Sequence, residues 1–257
     1  MISVPVLFSF ARSGGTLVNQ LLGTHPDCLV LSEVNPAACC KPLADQAVEW
    51  LHLIEPDEVD GFQQLAYAEQ IRELRQRAAV RKRRLIVRDW PIVNFVPASS
   101  PNAVPSAVLE QALYLHLAGI RIVPLVIARR GAHAYLSCRR NFEQFENVDA
   151  QSFSRHYLQY AKAVASYPIV HLERLRENPW HSVADILRTF ELSLDHVDLM
   201  LRQFSDFRRC TGNNTLRRQT ESSMATSILG QDATRNFPDC ADLTLQFEQA
   251  DRLLGYD

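Results

Sequence analysis

Five largely apolar runs, at positions 4–10, 28–31, 85–87, 121–128 and 169–172, show no alternation with polar residues. A strand with one wet face alternates, so unbroken runs predict strands covered on both faces, as in a parallel sheet. The segments between them repeat at helical spacing instead: 15–23, 61–80, 105–118, 132–140, 150–166 and 179–190, with a closing helix at 240–254. Strands alternating with helices predict an α/β fold, one domain over residues 1–257. A central parallel sheet is flanked by helices on both faces, a three-layer P-loop-like architecture. Residues 93–105, with Pro97, Pro101, Pro105 and a Ser-Ser pair, read as a surface loop, and 210–238 as a second one.

Composition adds to this picture in three places. A hydrophobic content of 47% over 257 residues is enough for a sizeable core. The formal net charge of -2 leaves no electrostatic footprint for nucleic acid. Lysine occurs only at Lys41, Lys82 and Lys162, so the other basic residues are arginine, whose planar guanidinium suits phosphate and sulfate. Arg72, Arg75, Arg77, Arg81, Lys82, Arg83 and Arg84 crowd one stretch, which reads as the solvated face and C-terminus of a helix. The six cysteines have no C-x-x-C spacing. They read as free thiols in a reducing compartment, with no metal site expected. No run approaches the length of a membrane span, and no signal-peptide pattern opens the chain. A cytoplasmic protein without a membrane span is therefore expected.

The chemistry concentrates at FSFARSGGTLVNQLL, residues 8–22. An apolar strand ends in Arg12-Ser13-Gly14-Gly15-Thr16, and a helical pattern follows at once. The free N–H groups of a helix N-terminus point outward, and glycines let an anion approach them. Ser13 and Thr16 add hydroxyls and Arg12 adds a charge. The run is not a Walker A motif, because no lysine precedes the Ser/Thr.

Read onward, RSGGTLVNQLLGTHPDCLVLSEVNP resembles the N-terminal signature of sulfotransferases that use 3′-phosphoadenosine 5′-phosphosulfate (PAPS). The likeness is to the branch of bacterial carbohydrate and tyrosylprotein enzymes whose loop reads Arg-Ser-Gly. That family carries a His-Pro after the first helix and a glutamate after the second strand, which are His25-Pro26 and Glu33 here. Gly15 stands where the family usually has threonine, and Ala11 where it often has proline. VPLVIARRGAHAYLSCRR is similar to the family's 3′-phosphate segment, with Arg129 at a strand end and Ser137 eight residues later. Arg130 replaces the usual aspartate. LIVRDWP resembles the third strand, which would bring Arg88 to the cleft, and TGNNTLRR a late segment whose arginine closes over the 3′-phosphate. The resemblance runs from residue 4 to about residue 218.

The resemblance implies sulfuryl transfer from PAPS, as co-substrate and without a metal, to a hydroxyl or amine. The acceptor is unidentified: a carbohydrate, a small alcohol or a peptide. It also implies residue roles. Arg12 and the loop residues Ser13, Gly14, Gly15, Thr16 and Leu17 would hold the 5′-phosphosulfate. Arg129, Ser137 and Arg217 would hold the 3′-phosphate, with Arg218 as the alternative to Arg217. Glu33 would be the general base, and Arg12 and Arg88 would offset developing charge. His25 is the second candidate base, although its His-Pro context reads as a helix-end anchor. Trp90 reads as a core residue or a stacking surface for adenine. Two other readings stay open: a P-loop kinase or phosphotransferase, and a non-catalytic nucleotide-binding protein of the same fold.

Overall fold

A computed structural model describes residues 2–97, 105–212 and 245–256. In chain order its strands are β1 (Ser3–Ser9), β2 (Cys28–Leu31), β3 (Val34–Asn35), β4 (Ala38–Cys39), β5 (Arg84–Arg88), β6 (Arg121–Ala128) and β7 (Ile169–His171). Five of them form a parallel sheet in the order β2-β5-β1-β6-β7, and β3 and β4 form a separate antiparallel hairpin. All five expected strands are present, β2 and β6 with the expected bounds. The last expected strand stops at His171, because Leu172 begins the helix Leu172–Glu177.

The unbroken apolar runs have the expected cause. Val4, Val6, Phe8 and Phe10 pack to one side of the sheet with Leu85, Val87 and Val126. Leu7, Val30, Ile86, Leu125 and Ile127 pack to the other. The first side is covered by helices Tyr67–Val80, Glu110–Leu117, Gly131–Asn141, Ala150–Val164 and Leu245–Leu253. The second is covered by Gly15–Thr24, Pro179–Thr189 and Val197–Gln203. Aromatic rings knit the first side: Phe10 lies 4.9 Å from Tyr160 and 5.0 Å, edge-on, from Tyr157.

Several expectations need correction. The helix expected over 61–80 is two: a short turn Val59–Gln63 and the helix Tyr67–Val80. Ala66 between them is extended at ψ 150, and Gln70 Nε2 donates to the Leu65 carbonyl at 2.9 Å. The segment at 93–105 is not simply a surface loop. Ile92–Phe95 forms a buried helical turn, and Val93, Phe95 and Val96 join the main core. Proline breaks regular structure there without preventing burial of its apolar neighbours. Helix Val197–Gln203 was not expected at all. Among the described residues no helix is long and apolar enough to cross a membrane.

The strand order fixes where a ligand fits. From β1 the chain crosses to β2 at one edge of the sheet, and from β6 it crosses to β7 at the other. Loops leaving the carboxyl ends of β1 and β6 therefore diverge and open a crevice, the usual ligand position in open α/β sheets.

Candidate active site

The turn after β1 is held tightly. Ser13 N–H donates to the Phe10 carbonyl at 3.1 Å, and Arg12 takes a left-handed conformation with φ 67. Gly14, with φ 92, is the N-cap of helix Gly15–Thr24, and no side chain caps it. The Val18 N–H reaches Gly14 O at 3.1 Å. The N–H groups of Gly15, Thr16 and Leu17 thus precede the first intrahelical bond. Gly15 is a steric requirement here, which accounts for the missing threonine. A Cβ on it would lie 2.2 Å from Ser9 Oγ and 2.9 Å from Arg88 Nε. Ser9 Oγ, Arg88 Nε and the Ser13 hydroxyl are all buried without a partner among the described residues.

The β6 side meets this turn directly. Arg12 Nε donates to Ser137 Oγ at 3.0 Å, and Arg129 Nη1 donates to the Arg12 carbonyl at 3.1 Å. Arg129 is 8% exposed, and the Tyr157 hydroxyl donates to its carbonyl at 2.5 Å. Helix Gly131–Asn141, which carries Ser137, is capped from the last helix: Gly131 N–H donates to Asp251 Oδ1 at 2.8 Å. Arg130 lies with its guanidinium 4.9 Å from the Tyr256 ring. Burial lowers the Arg12 pKa, with the nearby Cys138 and Glu33 acting in the opposite direction. The guanidinium nevertheless remains a cation in any neutral solution.

Across the crevice, Arg88 Nη2 donates to Glu33 Oε1 at 2.6 Å, their side chains only 5% and 12% exposed. Glu33, like Arg12, is left-handed, with φ 51. Such a conformation costs a non-glycine residue about 1–3 kcal/mol and collects at functional sites. Arg88 Nη2 also reaches Thr16 Oγ1 at 3.4 Å, joining the pair to the first helix. Its Nη1 donates to Ser32 Oγ and to the Thr211 carbonyl, each at 3.3 Å. Thr211 N–H donates to Ser32 Oγ at 3.0 Å, so the Cys210–Gly212 stretch lies against the site. Behind the pair, Asn35 Nδ2 donates to Asp89 Oδ1 and to Asn94 Oδ1, both at 2.8 Å. Full burial pushes the Asp89 carboxyl up to about 7, against the pull of the Asn35 bond.

The structure therefore brings Arg12, Ser13, Gly14, Gly15, Thr16, Leu17, Arg88, Glu33, Arg129 and Ser137 to one crevice. Arg217 and Arg218 lie outside the described residues. His25 is elsewhere, at the far end of the first helix. Its Nδ1 accepts from Asp27 N–H and its Nε2 meets the Ser193 carbonyl, each at 3.1 Å. Only the Nε2-protonated neutral tautomer satisfies both bonds, and burial lowers its pKa, so it is an anchor. Trp90 packs partly buried against the main core. Sequence reasoning missed Ser32, Asn35, Gln46, Asp89 and Thr211. Their contacts join residues far apart in the chain, and no local pattern signals them.

No family model matches the chain, and a search of curated proteins gives no match. Among solved structures it resembles the sulfotransferase domain of the Synechococcus PCC 7002 olefin synthase, with a TM-score of 0.60 and 16% identity. That match covers 99% of this chain and 95% of the other. A sulfotransferase domain from the curacin biosynthetic pathway matches with a TM-score of 0.59 and 13% identity, over 100% of this chain and 99% of that one. The central parallel sheet, its flanking helices and the near-complete mutual coverage lead to one conclusion: this chain has the fold of a sulfotransferase domain.

Proposed function

We propose that this chain is a sulfotransferase that moves a sulfuryl group from PAPS to a hydroxyl or amine acceptor, with Glu33 as the general base. The observation that carries this reading is the position of Arg12. It sits in the anion-type turn after β1 and bonds directly to Ser137, while Arg129 bonds to its carbonyl. The two phosphate-binding segments that the sequence suggests therefore share one crevice, as a single nucleotide requires. The site also has the chemistry for such a ligand. The buried Ser13 hydroxyl, which has no partner among the described residues, lies in the same turn as the helix N-terminal N–H groups, and this donor set suits a phosphate or sulfonate oxygen.

In the reaction the acceptor oxygen bonds to sulfur, the bond from sulfur to the phosphate oxygen breaks, and that oxygen leaves with the electron pair. The acceptor proton passes to Glu33. A carboxylate is a weak base for an alcohol, so proton transfer follows sulfur–oxygen bond formation, when the acceptor has become acidic. Arg88 holds Glu33 Oε1 at 2.6 Å and the Cys40 thiol hydrogen-bonds the same carboxylate, so the proton goes to a carboxylate oxygen that Arg88 does not take up. Arg12 faces the leaving phosphate and offsets its charge as a fixed cation.

The test has two stages. Adenosine 3′,5′-bisphosphate is expected to bind in calorimetry without magnesium. An acceptor screen with labelled PAPS then supplies a transfer rate. Glu33→Gln should keep bisphosphate affinity within about threefold and slow transfer by about 10²–10⁴-fold, the usual worth of a general base. A magnesium-dependent preference for ATP, or unchanged transfer in Glu33→Gln, would refute the reading.

A further inference from the structure

We infer that Gln46 is a positioning residue for Glu33, and the inference rests on the reading of Glu33 as the base. Gln46 is fully buried, and its carboxamide grips both ends of the loop that carries Glu33. At the near end, Ser32 N–H donates to Gln46 Oε1 at 2.7 Å, and Gln46 Nε2 donates back to the Ser32 carbonyl at 2.9 Å. At the far end, the same Nε2 donates to the Lys41 carbonyl at 2.9 Å. Only this amide orientation satisfies all three bonds. One side chain thus staples the base of the β3–β4 hairpin, inside which Cys40 N–H donates to the Glu33 carbonyl at 3.3 Å.

What the staple holds is a conformation that Glu33 does not favour alone. Its φ of 51 is left-handed, and such geometry persists only where neighbours over-determine it. Fixing the Ser32 backbone also fixes Ser32 Oγ, which receives Arg88 Nη1 at 3.3 Å and Thr211 N–H at 3.0 Å. Gln46 therefore acts on both members of the Arg88–Glu33 pair without touching either. The residue opens a π-helical turn, Gln46–Trp50, closed by Leu51 N–H to the Gln46 carbonyl at 3.0 Å. Such turns are rare and recur at functional sites.

Two variants test the assignment. Gln46→Glu keeps the shape but, near neutral pH, points a carboxylate at the Ser32 and Lys41 carbonyls; acid returns one donor. Gln46→Met removes all three bonds at any pH. Amide hydrogen exchange at Ser32 and Cys40 reads the loop without reference to activity. Protection at both amides should fall about tenfold or more in Gln46→Met, the worth of a lost buried hydrogen bond; in Gln46→Glu, whose carboxylate still accepts from Ser32 N–H, the protection that falls is at Cys40. In Gln46→Glu alone it should recover, relative to wild type, as the pH falls. Bisphosphate affinity should stay within about twofold, because the Arg12 and Arg129 side is untouched, while the single-turnover transfer rate falls about tenfold or more. Loss of protection at Ser32 with Cys40 unchanged would overturn the inference, as would transfer within twofold of wild type in both variants. If the wild-type chain transfers nothing to any acceptor, the sulfotransferase reading is what fails, and the exchange pattern still decides whether Gln46 holds the loop.

Discussion

Two arginine-rich regions sit at opposite edges of the same sheet and do different work. At the amino edge, the basic run from Arg72 to Arg84 borders a cleft of about 350 Å³ shared with Asp27 and Glu191. Most of its cations are already engaged. Arg77 bridges Glu58 and Glu73, Arg84 pairs with Glu191 at 2.8 Å, and Arg83 donates to the Pro26 carbonyl at 2.7 Å. Hydrogen bonding from Arg77 draws the Glu58 carboxyl down to about 2. These are exposed or half-exposed struts, and pairs of that kind contribute little each. At the carboxyl edge, Arg88 and Arg129 are only 4% and 8% exposed, and with Arg12 they converge from three separate strand ends. Charge density along a sequence thus marks the wrong region. Burial and convergence mark the candidate site.

The sharpest way to break that contrast is Arg88→Met. It leaves the Glu33 carboxylate, 12% exposed, without its hydrogen-bonded ion-pair partner. Breaking a buried pair costs about 3–5 kcal/mol, and the residual solvent access of Glu33 puts the expected loss at the low end of that range. Urea denaturation measures it, and unchanged stability would show that the pair does not organise the site. Gly15→Thr comes next. The added Cβ meets Ser9 Oγ, so overpacking of about 1–3 kcal/mol is expected, with part of the loss restored by Ser9→Gly. A thermal-melt double-mutant cycle with no coupling between the two positions would rule out the steric account. The smallest effect is expected at the other edge. Arg75→Ala should shift stability by less than about 0.5 kcal/mol and leave bisphosphate affinity unchanged in titration calorimetry. A large loss of affinity there would erase the distinction between the edges.

Much of the frame was legible from local pattern. The runs at 28–31 and 121–128 end where the strands end, because continuous apolar residues flanked by polar ones have little alternative to a doubly covered strand. The turn at Arg12 was legible because glycine next to glycine after a strand has a conformational cause. The strain was not. Nothing about an arginine or a glutamate announces a left-handed backbone, yet Arg12 and Glu33 both adopt one. The break before Tyr67 has no glycine or proline at its extended residue, Ala66, so periodicity carried the expected helix across it. Gln46 was invisible for a different reason. A glutamine within a helical stretch looks like surface until the hairpin it closes is folded around it.

The central place of β1 has a consequence for how the crevice comes into being. Ser3 lies beside Arg121 and Ser9 beside Ile127, while on its other flank Val6 lies beside Val87. Of the five sheet strands β1 comes first in the sequence, yet it must wait for β5 and β6 to be made before it has neighbours, and such non-local pairing is slow. Arg12 acquires its partners Arg129 and Ser137 only after the whole stretch in between has been synthesised and docked. On the sulfotransferase reading, bisphosphate binding should therefore appear only once the β1 and β6 segments have docked, and it reports that docking.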